Sequence, residues 1–119
     1  MHKKYLFIMQ DPPAAGIRAQ ESLDILLTAA AFDQDISLLF LDDGVYQLKR
    51  DQQGSAITSK HLGQALQSLV FFELKHIYVE EQSIKRRGLH AEDFILPVTV
   101  IPETRLTELM LRHDIILPC

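Results

Sequence analysis

A chain of 119 residues that is 47% hydrophobic and 24% charged has the size and composition of one globular domain, which excludes a disordered chain and leaves no room for a second core. Its formal net charge is −4, and its 12 Lys and Arg are scattered apart from Lys85, Arg86 and Arg87, so it lacks the electrostatic footprint of a direct nucleic-acid binder. No apolar stretch approaches the roughly 20 residues of a bilayer span, and Cys119, the single cysteine, cannot form an internal disulfide; the expected location is the cytoplasm.

Tyr5 to Met9 is an apolar run between lysines and Asp11-Pro12-Pro13, short enough for a buried strand. Two lysines precede it, but the run is about half a signal-peptide core and has no cleavage-like site after it. From about Ala15 to Phe32 the period changes: Leu23, Leu26, Leu27 and Ala30 fall on one helical face. Ile36 to Leu41 reads as one apolar run, as in a strand covered on both faces, and it leads into Asp42, Asp43 and Gly44. Asp51 to Ser59 is a polar connection with one glycine. Ser59 then suits the N-cap of a second amphipathic helix carrying Leu62, Ala65, Leu66, Leu69 and Val70, extended by Phe71, Phe72 and Leu74.

Ile77 to Val79 predicts a third strand ending at Glu80 and Glu81, followed by a helical turn through Ile84 to Arg87 that Gly88 stops. Ile95 to Ile101 predicts a fourth strand, with Pro97 arguing for a sheet edge or a strand start. Pro102 suits the first turn of a helix with Leu106, Leu109, Met110 and His113 on one face, and Ile115 to Leu117 closes the chain as a fifth strand. This alternation predicts a single α/β domain over residues 1–119: three layers, with a five-stranded, mostly parallel sheet flanked by helices.

The candidate chemistry gathers at Phe40 to Leu48, Phe-Leu-Asp-Asp-Gly-Val-Tyr-Gln-Leu. In open α/β sheets the carboxyl ends of the strands face the ligand crevice, although Asp-Asp-Gly is also ordinary turn composition. Asp42 and Asp43 are neighbours, so in extended chain they point to opposite faces and make a poor acid–base dyad. The five histidines have no two-ligand spacing with one another or with Cys119, which gives a tetrahedral metal site no support. Gly16 stands alone near the first strand-to-helix turn, too few glycines for a dinucleotide or phosphate loop. Phe71 and Phe72 lack the interleaved basic residues of a base-stacking platform. A phosphoacceptor receiver domain is a poor match, since the acidic pair follows strand two here and strand five runs into Pro118.

The nonapeptide resembles the signature of the TusC/DsrF proteins of the DsrE/DsrF-like family: a strand ending in an aromatic residue, an acidic pair, then Gly-Val-aromatic-Gln-Leu. Met1 to Gly16 resembles that family's first strand and loop, Ile77 to Leu89 its third strand with the following Arg-Arg-Gly-Leu, and His113 to Leu117 its closing strand. The resemblance implies a DsrE-like fold and a place in a heterohexameric sulfur-relay complex with sister subunits resembling TusB and TusD. Such complexes pass persulfide sulfur between carrier proteins, usually toward 2-thiolation of the tRNA wobble uridine and, in sulfur-oxidising bacteria, for dissimilatory sulfur metabolism.

In the family's relay-active subunit a cysteine sits eight positions before the glycine of Arg-Arg-Gly. Here that position is Glu80, which cannot carry a persulfide, so the resemblance implies a noncatalytic or weakly catalytic subunit; no cofactor or metal is expected from the residue spacing. Asp42, Asp43, Gly44, Tyr46, Gln47, Glu80, Arg86 and Arg87 are its crevice or interface candidates. Two other readings stay open: a sulfurtransferase using Cys119, should the tail fold back beside Asp43 and Gly44, and a small-molecule binding module.

Overall fold

The computed structural model describes residues 3–10, 21, 24, 25, 28, 35–49, 76–95 and 97–118. Five strands arise where the apolar runs predict them: β1 (Lys4–Met9), β2 (Asp35–Phe40), β3 (His76–Glu80), β4 (Thr99–Ile101) and β5 (Ile115–Pro118). They form one sheet in the order β4-β3-β2-β1-β5, and every pairing is parallel. The carboxyl ends of β1, β2 and β3 therefore share one edge of the sheet. Met9 lies in register with Phe40, and Phe40 with Val79.

Alternation along the strands sorts the core into two faces. Phe7 and Met9, Leu38 and Phe40, and Ile77 and Val79 belong to the larger cluster, which Val45, Leu48, Ile84, Leu89 and Phe94 complete. Leu6, Ile8 and Leu39 belong to a smaller cluster on the other face, closed by Leu109. Ile84 lies on α1 (Glu81–Arg86) and Leu109 on α2 (Leu106–Leu111), so helices cover both faces in three layers. Burying a side chain as completely as Phe7, Phe40 or Leu38 stabilises the fold by roughly 1.5–3 kcal/mol relative to exposure.

Three boundaries differ from expectation. The fourth strand starts at Thr99 rather than Ile95: Pro97 has no N–H to give a ladder, and the residues before it are committed elsewhere, Phe94 in an antiparallel bridge to Lys49 and Ile95 N–H to the Leu48 carbonyl at 2.8 Å. The helix expected at Ile84 begins three residues earlier, at Glu81, directly off the strand. Pro102 opens a 3-10 turn, Glu103–Arg105, before α2.

Of the helix expected from Ala15 to Phe32, residues 21, 24, 25 and 28 are described and are helical, with the Thr28 hydroxyl donating to the Asp24 carbonyl at 2.8 Å. The connection Asp51 to Ser59, the helix expected after it, and Cys119 lie outside the described residues.

Candidate functional site

The candidate site at the carboxyl edge is built from the segments that leave β2 and β3. Leu41 stays extended, and its N–H donates to the Met9 carbonyl at 3.1 Å. Asp42 then turns into the left-handed region at φ 49°, which aspartate tolerates better than most residues because its short polar side chain can bond locally. From there the chain runs as a seven-residue 3-10 helix, Asp42–Leu48, where the sequence suggests only a turn. The extended geometry assumed for the acidic pair is replaced by a turn into the 3-10 helix, in which the Asp42 backbone N–H and the Asp43 carboxylate are bonded to different partners.

Gly44 is required by contact rather than by torsion. A Cβ there would lie 1.9 Å from the Met9 carbonyl oxygen and 2.6 Å from its carbon, so the absence of a side chain lets the 3-10 helix press against the end of β1. Val45, Gln47 and Leu48 are buried beneath it.

From the other side, Glu80 ends β3 and is the N-cap residue of α1. The Ser83 hydroxyl, buried at 2% exposure, donates to Glu80 Oε1 at 2.7 Å and accepts the Asp42 N–H at 2.9 Å. Arg87 completes the tie: Nε and Nη2 both donate to Asp43 Oδ1, at 3.1 and 2.9 Å, and Nη1 donates to the Ser83 carbonyl at 3.1 Å. The guanidinium also sits 5.9 Å from the centroid of the Tyr46 ring, within cation–π range. Asp43 is half exposed and Arg87 mostly covered, so the pair ties the strand-two loop to α1 at the solvent margin.

The end of α1 holds this geometry. Gly88, at φ 65°, donates to the Lys85 carbonyl at 3.2 Å while Leu89 N–H reaches back to Ile84 at 2.9 Å, the paired bonds of a Schellman ending with its apolar contact between Ile84 and Leu89. Arg87 is thus fixed at that margin while Lys85 pairs with Glu81 on the exposed side at 3.1 Å.

Of the residues singled out from the sequence, the structure brings together Asp42, Asp43, Gly44, Tyr46, Glu80 and Arg87. Gln47 lies buried below them, and Arg86 is exposed and takes no part in these bonds. Ser83, the centre of the network, was not among the candidates; the signal for it is the spacing Glu80-x-x-Ser83, which sets a hydroxyl one helical turn after a strand-end carboxylate. Among the described residues no group of three or more His, Cys, Asp or Glu is placed to hold a metal ion.

Comparison with known proteins decides the family. The DsrE/DsrF-like family matches residues 3–118. The chain belongs to the DsrE/DsrF-like family. Among its DsrE/DsrF-like relatives is a protein named Protein TusC homolog from Pseudomonas aeruginosa, 38% identical over 114 residues and covering 96% of both chains. The Intracellular sulfur oxidation protein DsrF of Allochromatium vinosum is 36% identical over 126 residues, covering 94% of this chain and 93% of its own. The fold is that of the ychN protein from E. coli, which superposes with a TM-score of 0.82 over 100% of both chains at 19% identity. In this DsrE/DsrF-like domain the carboxyl edge of the sheet thus carries a bonded cluster of carboxylates, a hydroxyl and a guanidinium.

Proposed function

We propose that this chain is a structural, noncatalytic subunit of a sulfur-relay complex, acting in the cytoplasm with sister subunits resembling TusB and TusD in a heterohexamer. The complex would pass persulfide sulfur between carrier proteins toward 2-thiolation of the tRNA wobble uridine. The reading is supported by relatives named TusC homolog and DsrF, and no helix among the described residues is long and apolar enough to cross a membrane.

The observation that carries the noncatalytic part is Glu80. Persulfide transfer runs by attack of a thiolate on a sulfur–sulfur bond, and a carboxylate oxygen has no counterpart to that exchange. Glu80 occupies the position that corresponds, by the family resemblance, to the relay cysteine, and its carboxylate is engaged by Ser83. Ser83 and Arg87 in turn bind the strand-two loop to α1, which makes this edge a fixed surface that neighbouring subunits can pack on. The 36% identity to DsrF favours dissimilatory sulfur oxidation as the second destination for the same relay.

Coexpression of the full chain with both sister subunits, followed by sizing, tests the assembly, and the expected result is one mixed complex. Within it, Glu80→Gln leaves wobble-uridine thiolation within about twofold of the parent, because the amide can still accept from Ser83. Failure to form any mixed complex, a large loss of thiolation in assembled Glu80→Gln, or persulfide mass on Cys119 after donor treatment would each overturn the proposal.

A further inference from the structure

At the opposite, amino-terminal edge of the sheet, on the α2 face, lies a second feature that the relay reading does not use. A cavity of about 140 Å³ opens among Lys4, Asp35, Ser37, His76 and Tyr78 of the first three strands and Arg112 just past α2. Its origin is legible in the register. Leu6, Ser37 and His76 lie in one row across β1, β2 and β3, and Leu109 covers Leu6. The small side chain of Ser37 leaves the middle of that row unfilled.

Ser37 is only 4% exposed, and its hydroxyl has no hydrogen-bond partner among the described residues. Ser37 lines the cavity, so a ligand entering it can take up that unused hydrogen-bonding capacity. Above it, neither the Lys4 ammonium nor the Arg112 guanidinium forms an ion pair with a described residue. His76 and Tyr78 stack with ring centroids 6.2 Å apart at 9°, making a flat side wall with polar tips. Donors therefore dominate the lining, and Asp35 is its single carboxylate against two formal cations.

We propose that this cavity binds a small oxyanion of the class of phosphate, sulfate or a short carboxylate, with the Ser37 hydroxyl at the floor and Lys4 and Arg112 closing over it. Cavities of about 150 Å³ take up molecules of benzene's size, so the space suits such an ion and is too small for a nucleotide. Arginine provides a planar fork matched to two oxygens, and lysine a mobile point charge. The site lies at the far edge of the sheet from Glu80, so it stands or falls independently of the relay reading.

The test is an NMR titration of the full chain with inorganic phosphate, sulfate and acetate in parallel, with ionic strength held constant by sodium chloride. Saturable shifts at Ser37, His76 and Arg112 with a millimolar or tighter Kd are expected, and the three arms rank the oxyanions. Arg112→Gln, on an exposed side chain whose loss the fold tolerates, and Ser37→Ala each weaken binding by roughly tenfold or more, as for the loss of a hydrogen bond to a charged group. Shifts that chloride reproduces, that fail to saturate with all three anions, or that persist unchanged in Arg112→Gln overturn the site.

Discussion

Gly44→Ala is the sharpest perturbation of the candidate site. The new Cβ would stand 1.9 Å from the Met9 carbonyl oxygen, whereas even close carbon–oxygen contacts stay beyond about 3.3 Å, so something must move by roughly 1.4 Å. Both parties are backbone, and neither can rotate away. The Met9 oxygen already accepts the Leu41 N–H at 3.1 Å, and Gly44 N–H is held by the Leu41 carbonyl at 2.9 Å, so separation breaks at least one of these bonds. Overpacking costs about 1–3 kcal/mol and a lost hydrogen bond about 1 kcal/mol more, for an expected destabilisation of about 2–4 kcal/mol. For a domain of this size that is a fall in Tm of roughly 8–16 °C. Urea unfolding should show a lower midpoint at unchanged slope. Gly88→Ala provides the contrast: nothing lies within 4 Å of its Cβ and the strain is the φ of 65° alone, which costs about 1 kcal/mol. If Gly44→Ala costs less than about 1 kcal/mol, or no more than Gly88→Ala, the close-approach argument is refuted.

Two further outcomes are expected from the same network. A double-mutant cycle on Arg87→Met and Asp43→Asn should give a coupling of about 0.5–1 kcal/mol, held low because Asp43 is half exposed, and shrinking in molar salt; zero coupling at low salt would show that the pair does not tie loop to helix. Ser83→Ala removes the partner of both the Asp42 N–H and Glu80 Oε1. It should cost about 1–3 kcal/mol and speed hydrogen exchange at the Asp42 amide, and an unchanged exchange rate there would count against Ser83 as the link.

How much of this was legible in the sequence depends on the range of the forces involved. The first two strands were readable because continuous apolar runs of five or six residues suit a sheet covered on both faces, the others from shorter apolar runs, and Gly88 was readable because a helix ending is a local matter. Gly44 was nominated within an Asp-Asp-Gly turn, but the left-handed residue of that turn is Asp42, and glycine is needed because Met9, 35 positions earlier, comes against it. That contact exists only after β1 and β2 pair. The ion pair of Asp43 with Arg87 spans 44 positions, so both residues could be nominated but not joined. Ser37 was hidden by its surroundings: within Ile36 to Leu41 it reads as part of an apolar run, and only the register with Leu6 and His76 shows that it leaves a hollow. Pro97 was read as a limit on the fourth strand, and the limit proved stricter than expected, leaving three residues.

Those three residues of β4 are one margin of the sheet, and the four of β5, ending in Pro118, are the other. A parallel sheet that stops in such abbreviated borders offers an incoming strand few outward amides, so edge-to-edge growth into fibrils or swapped dimers gains little. Association with other chains is thereby diverted from main-chain zippering to contacts between side-chain surfaces, where shape and charge discriminate one neighbour from another.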